Sequence, residues 1–442
     1  MALVSLALRR DPASVLAALA NEPGALLLDV PDPLRPATLV GCRPSDELRV
    51  PDDALDPLGL AAGYVAHTRP LDPTLPFPLG GGVVGYLAYE AGRATAPRAR
   101  RHASPVPLAV LRRYDPLLVH EHATGQWSLV SSTAASARAP WLERLTDAPE
   151  RTDGPLADAP LASVWPDDRH AAAVARILDY LAAGDAYQVN LTQPFVVRLR
   201  GPALALYTRL ARTHPVPYGA YLDCGDFQIV ANSPELLLRR RGRRLETRPI
   251  KGTRARGGDP ASDASEAQAL SASPKDRAEH VMIVDLERND LGRVCEVGSV
   301  VVERLLALES HPTVHHLVST VAGRLAEDVD LATVLRAIFP GGSITGAPKV
   351  RAMEIIAELE DTARGVYTGA LGVFDPRGDL ELALPIRTAV VRDGLVTYQA
   401  GGGIVADSDP EHERAECWLK TAALRRALDD APDARLSRCS SG

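Results

Sequence analysis

Val366-Tyr-Thr-Gly-Ala-Leu-Gly-Val-Phe374, Glu381-Leu-Ala-Leu-Pro-Ile-Arg-Thr-Ala-Val-Val391 and Leu395-Val-Thr-Tyr-Gln-Ala400 follow one another with short gaps between them. Rich in β-branched and aromatic residues, they read as consecutive strands. Upstream, residues 186–197 alternate like a strand, and 221–238 suggest a strand pair turned at 223–226 and ending in Asn232-Ser-Pro-Glu235. Helices are interspersed. Residues 169–183 carry Val174, Ile177, Leu178 and Leu181 at helical spacing, with Gly184 as a cap. Ser273-Pro274 starts a second helix, a third covers 349–359, and a last runs over 410–428. Mixed helices and antiparallel-looking strand pairs give the α+β class.

Outside this stretch the signals are weaker. The 442 residues carry a net charge of −7 with 46% hydrophobic content, which excludes a mainly disordered chain. A mildly acidic protein without a basic block predicts no nucleic-acid partner. Cys42, Cys224, Cys295, Cys417 and Cys439 lack CxxC spacing, so neither a zinc site nor a disulfide framework is expected. No segment reads as a secretion signal or membrane span, and a cytoplasmic location is the default. Residues 146–168 combine Pro, Asp and Ala without periodicity and suggest a boundary between a first region, 1–150, and a second, 165–430. In the first, Gly80-Gly-Gly-Val-Val-Gly-Tyr-Leu-Ala-Tyr-Glu90 resembles a glycine-kinked strand entering the core, and Arg93, Arg98, Arg100 and Arg101 read as a solvated loop.

Of 49 basic residues only Lys251, Lys275, Lys349 and Lys420 are lysine, all in the second region. In a chain that otherwise uses arginine, a persisting lysine marks a site where a fixed guanidinium fork does not substitute. Lys251 stands between Ile250 and a glycine turn, where desolvation would free its amine as a nucleophile. Glu235, ending a strand, suits a buried general acid. Asp276 and Glu279 lie three apart on one helix, and Glu413 and Glu416 repeat that spacing on another with Lys420 following. Such acids suit a hard cation such as Mg²⁺, or are ordinary surface acids near a helix start. Gly252-Thr253, the 341–346 run and Gly401-Gly402-Gly403 read as turns able to aim N–H groups at an anion, or as plain tight turns. Arg387, in an apolar strand pattern, needs an anion, either a ligand or an internal carboxylate. His315 and His316 point to opposite faces of a strand, so at most one reaches a given site. The residues alone thus describe a magnesium-dependent enzyme acting on a small polyanion.

Several of these stretches together resemble the chorismate-utilising enzymes. They are Asp185-Ala-Tyr-Gln-Val-Asn-Leu-Thr192, Asn232-Ser-Pro-Glu235, Pro249-Ile-Lys-Gly-Thr-Arg254 and Lys275-Asp-Arg-Ala-Glu-His280. Asp285-Leu-Glu-Arg-Asn-Asp-Leu-Gly-Arg-Val294, Pro340-Gly-Gly-Ser-Ile-Thr-Gly-Ala-Pro-Lys-Val-Arg-Ala-Met353 and Tyr367-Thr-Gly-Ala370 follow. Gln399-Ala-Gly-Gly-Gly-Ile-Val-Ala-Asp407 and Glu413-Arg-Ala-Glu416 complete the set. The resemblance implies two mainly antiparallel β-sheets packed as a sandwich core with helices outside. It also implies Mg²⁺ on Glu279 and Glu416, with Asp276 and Glu413 acting through water, gripping the ring carboxylate beside Lys420, Gly252 and Thr253. Arg387, Tyr367 and Gly401, Gly402 and Gly403 would hold the enolpyruvyl carboxylate, with His316 and Thr345 as polar support. Gln188 stands where water-using members carry lysine, which implies ammonia as the nucleophile. Lys251 stands where anthranilate synthases usually carry alanine, and resembles the branch that aminates chorismate at C4 towards 4-aminobenzoate and folate. Lys251 would then attack C2 while Glu235 protonates the C4 hydroxyl. The alternatives are anthranilate synthase chemistry and, from another class, a non-catalytic chorismate-binding homologue. With no glutaminase motif present, ammonia is expected from a separate glutamine amidotransferase subunit. At Leu27-Leu28-Asp29-Val30 and Pro217-Tyr218-Gly219 the chain departs from the tryptophan pocket of anthranilate synthases.

Overall fold

The computed structural model describes residues 2–133, 139–146 and 154–429. Cys439 and residues 147–153 of the expected boundary lie outside them. Two antiparallel sheets form the body, one of twelve strands and one of ten among the described residues.

Period-two side-chain alternation sorts the apolar residues into layers. In the larger sheet Leu26, Leu28, Ala220, Leu222, Ile229 and Ala231 face inward and join Val84, Val110, Val373 and Leu382 of the smaller sheet in one core. Their neighbours Leu27, Tyr221 and Val230 face outward and pack instead with helix residues such as Leu206 and Leu424. A further cluster pins the helices Asp167–Ala182 and Lys349–Leu359 on the strand Gln188–Arg198. Burying one such Leu or Val side chain contributes on the order of 1.5–3 kcal/mol. The expected sandwich with helices outside is what forms.

The two sequence regions are not separate bodies. Strand Leu26–Val30 pairs with Tyr218–Asp223, and Val83–Leu87 pairs with Ala370–Phe374. Each region therefore contributes strands to both sheets, and neither has a closed core of its own. The Pro- and Asp-rich stretch lacks periodicity and so suggests a boundary that the strand pairing does not respect. Its described part is anchored by buried Leu156, Leu161 and Trp165. The glycine-kinked strand is as expected: a Cβ on Gly85 would stand 1.9 Å from the Val110 carbonyl oxygen, so only glycine fits.

Two expected strands are broken where the chain passes between sheets. Residues 381–391 divide into Leu380–Ala383 in the smaller sheet and Thr388–Arg392 in the larger. Likewise Gln228–Ser233 and Leu236–Arg241 belong to different sheets, with Glu235 in the crossing. The expected last helix is two, Pro410–Lys420 and Ala422–Asp429.

Candidate active site

The two crossings lie side by side. Asn232 donates its N–H to the Arg387 carbonyl (3.2 Å) and Leu384 donates to the Glu235 carbonyl (3.0 Å). The Ser233 hydroxyl closes the set on the Leu384 carbonyl at 2.5 Å. Arg387 and Thr368 hold left-handed φ values of 51° and 61°, and Thr368 donates to the Pro385 carbonyl (3.0 Å). Such conformations cost about 1–3 kcal/mol each and persist where the surroundings enforce them. This sheet-to-sheet passage, rather than a strand, is what presents Arg387 and Glu235 to one space. Burial pulls the Arg387 guanidinium pKa down, and no carboxylate pairs with it among the described residues. An unpaired desolvated cation of this kind suits an anionic ligand.

Glu235 is 4% exposed, and burial pushes its carboxyl up to about 7. It accepts hydrogen bonds from the Ser343 hydroxyl (2.7 Å) and the Ile250 N–H (3.4 Å). Ser343 belongs to the single turn Gly342–Ile344, which a second buried layer holds in place. Glu287 accepts the Gly342 N–H at 3.0 Å, while Lys349 pairs with Asp290 and donates to the carbonyls of Pro340 (2.7 Å) and Ile338 (3.2 Å). Burial, with Asp290 adding to it, pushes Glu287 up to about 7 as well. Thr345 is fully buried, and its hydroxyl donates to the Gly341 carbonyl (2.9 Å), so it ties the same turn together.

Lys251 lies in strand Ile250–Ala255, whose register against Val314–Arg324 slips between Ile250 and Thr253. The expected glycine turn is thus a bulge, with Gly252 at φ 83°. A Cβ there would stand 3.0 Å from Leu270 and 3.3 Å from Asp276, so glycine lets the acid-bearing helix approach. Lys251 is half-buried, and burial lowers its pKa against the pull of Glu279. A Cβ on Gly403 would lie 2.3 Å from Gln188 Nε2 and 3.3 Å from Lys251 Nζ. Both heads therefore share the space that this glycine leaves. Gln188 is 0% exposed and neither of its amide heteroatoms has a hydrogen-bond partner. An unpartnered buried amide costs about 1–3 kcal/mol, as befits a group awaiting a ligand.

Gly401, Gly402 and Gly403 are not a turn. They lie in strand Leu395–Ile404, opposite Thr192, Leu191 and Asn190. Gly402 faces the acids: a Cβ there would meet Glu413 Oε2 at 3.2 Å and Glu416 Oε1 at 3.5 Å. Asp276 and Glu279 stand on helix Pro274–Gly292, capped by Ser273 as expected. Lys420 bonds Glu416 at 2.7 Å and the Gly401 carbonyl at 2.6 Å. Burial raises the pKa of Glu279 and Glu413, with neighbouring acids adding to it, whereas Lys420 holds Glu416 down. Mutually repelling oxygen donors without a thiol fit a hard cation. No three acidic or histidine groups among the described residues gather closely enough to enclose an ion. Water and substrate oxygens would complete the shell, as Mg²⁺ ordinarily requires.

His316 meets the Thr253 hydroxyl at 2.9 Å, and burial pushes its pKa down to about 3, so it is neutral. His315 points the other way, to Ser310 (2.8 Å) and Asp263 (2.9 Å). Tyr367 is 7% exposed, with its phenol pushed up by burial. Ser343, Glu287 and Asp290 lie within the family motifs, with no role that the sequence expectations assign. The spacing that selects Asp276 and Glu279 also selects Glu287 and Asp290, and the persisting Lys349 was the further signal.

The sequence model for chorismate binding enzymes matches residues 27–426. The chain belongs to the chorismate binding enzyme family. Anthranilate synthase component 1 of Streptomyces coelicolor is 44% identical over 399 residues, which is 84% of this chain and 77% of that protein. Aminodeoxychorismate synthase component 1 of Bacillus subtilis is 40% identical over 362 residues, covering 79% and 77%. Among solved structures, anthranilate synthase component I of Streptococcus pneumoniae superposes with a TM-score of 0.76 at 29% identity, covering 89% of this chain and 93% of that one. The menaquinone-specific isochorismate synthase of Escherichia coli shares the fold with a TM-score of 0.76 at 19% identity, covering 97% and 94%. This chorismate-utilising enzyme therefore has relatives with two different amination names at similar identity. No helix among its described residues is long and apolar enough to cross a membrane.

Proposed function

We propose that this family member aminates chorismate at C4 to give 4-amino-4-deoxychorismate, the precursor of 4-aminobenzoate and folate. The observation that carries the reading is Lys251, a desolvated amine sharing the space beside Gly403 with the unpartnered Gln188 amide. Arg387 and Tyr367 hold the enolpyruvyl carboxylate. The Gly252 bulge, Thr253 and Lys420 approach the ring carboxylate, and Asp276, Glu279, Glu413 and Glu416 would hold Mg²⁺ there. That ion, when bound, supplies positive charge to the carboxylate and orients the ring. The neutral Lys251 amine attacks C2, both ring double bonds shift (C1=C2 to C1=C6 and C5=C6 to C4=C5), and the C4–O bond breaks as Glu235 delivers its proton, releasing water and leaving Glu235 ionised. Ammonia then adds at C4, both double bonds return and the Lys251 amine leaves C2. With a pKa raised to about 7, a large fraction of Glu235 carries its proton near neutral pH, which suits proton delivery. Ammonia comes from a separate glutamine amidotransferase subunit, so the isolated chain uses ammonium salts and not glutamine.

Anthranilate synthesis is the second reading, favoured by the 44% identical relative of that name. Mass spectrometry of the product from chorismate, Mg²⁺ and an ammonium salt separates them. An amino product retaining the enolpyruvyl group supports C4 amination, and free anthranilate refutes it. Lys251→Ala should lose most C4 amination or divert to anthranilate; an unchanged rate and product would remove the lysine from the mechanism.

A further inference from the structure

Between the segment 89–102 and helix Lys349–Leu359 lies a small cleft of about 70 Å³. Met353 and Ile356 give it an apolar wall, and Tyr89, Glu90, Arg100 and Arg101 line it as well. Tyr89 is 9% exposed, and its hydroxyl is buried without a hydrogen-bond partner. Arg100 and Arg101 are exposed, and neither pairs with a carboxylate among the described residues. None of the residues assigned to chorismate lines this cleft. The loop arginines thus stand beside an apolar cleft walled in part by Tyr89, whose buried hydroxyl is unsatisfied.

We propose that this cleft is an effector site for a small aromatic carboxylate. The ring lies on Met353 and Ile356, the carboxylate meets Arg100 and Arg101, and a polar ring substituent satisfies the Tyr89 hydroxyl. Burial pushes the Glu90 carboxyl up to about 7, so its charge offers reduced opposition to an anion near neutral pH.

A connection to the active site is built in. Glu90 accepts the backbone N–H groups of Arg364 (2.7 Å) and Gly365 (3.0 Å). The Arg364 guanidinium stands 4.7 Å from the Tyr89 ring centroid. On its far side it donates to the Ile344 carbonyl (2.8 Å) and the Asn190 carbonyl (2.7 Å). Ile344 follows Ser343, the donor to Glu235. A ligand that moves Tyr89 therefore acts on the turn that sets the proton donor.

The test is calorimetric titration of the full chain with 4-hydroxybenzoate, with and without saturating chorismate, beside chorismate turnover. One-to-one binding that chorismate does not displace is expected. Affinity should fall at least about fivefold in the R100A/R101A double variant, and binding should be lost in Ala357→Phe, which fills the cleft. Both variants should keep wild-type turnover without the probe, which also certifies their folding. The probe should change wild-type turnover at least twofold while leaving Ala357→Phe unaffected. Absence of binding, displacement by chorismate, undiminished binding in the double variant, or binding without effect on turnover would each overturn the proposal. The binding readout is independent of which amino product the enzyme makes.

Discussion

Replacing Ser343 with alanine isolates the group that sets the charge state of Glu235. The Ser343 hydroxyl donates to Glu235 at 2.7 Å and favours the ionised carboxylate, against the burial that pushes it up to about 7. A hydrogen bond to a charged group is worth roughly 1.5–3 kcal/mol, and one pKa unit is about 1.4 kcal/mol. Removing the donor leaves the Ile250 N–H at 3.4 Å as the remaining hydrogen bond, so the pKa should rise by about one to two units. If protonated Glu235 drives C4–O cleavage, wild-type kcat/KM falls about tenfold per pH unit above the Glu235 pKa. In Ser343→Ala that limb moves to about pH 8–9, while Ser343→Thr keeps it near the wild-type position. The assay is initial chorismate consumption from about pH 6 to about pH 10 at saturating Mg²⁺ and un-ionised ammonia. A limb that stays put or moves to lower pH in Ser343→Ala would refute the assignment. Loss of the limb in Glu287→Gln, with Glu235 intact, would place the titrating group on Glu287 instead.

Arg387→Ala should raise the chorismate KM about 10–100-fold, the loss of one desolvated charge-assisted contact, as measured by steady-state kinetics. Gly401→Ala places a Cβ 1.9 Å from the Leu191 carbonyl oxygen and should cost about 3 kcal/mol by thermal melt. Gly402→Ala meets the side-chain ends of Glu413, Glu416 and Lys420, so the melt should hold while the Mg²⁺ requirement for activity rises. Lys349→Ala leaves buried Asp290 without its cation and should lower stability by about 3–5 kcal/mol in urea unfolding.

Much of the site was legible because its chemistry is local in the sequence. The i,i+3 acid pairs and the Ser273 cap need only helical geometry, and the structure keeps both. Lysine scarcity selected Lys251, Lys275, Lys349 and Lys420: Lys349 and Lys420 have partner sets suited to a compact ammonium, Lys251 is desolvated beside Gly403, and Lys275 stays exposed with Glu413 3.9 Å away. The opposite facing of His315 and His316 followed from strand alternation alone. What failed were inferences about sheet membership. Residues 381–391 look like one strand because an apolar run has the same pattern whether it stays in a sheet or leaves it. The Gly401–Gly403 triplet was read as a turn because glycine signals turns in general, yet here it allows two strands and two acid side chains to approach closely.

By itself the amino-acid sequence determined the α+β class, the family and the roster of chemical groups, since these follow from periodicity and motif order. The tertiary structure alone decided that residues 1–150 and 165–430 share both sheets, because strand pairing between distant segments leaves no local signal. It also decided that Glu235 and Arg387 face one space, through hydrogen bonds between the two crossings such as that from the Ser233 hydroxyl to the Leu384 carbonyl, 151 residues apart. Burial then set their charge states, raising one carboxyl to about 7 and leaving one guanidinium unpaired. Desolvation depends on what surrounds a group in space, and that is decided only when the two sheets close.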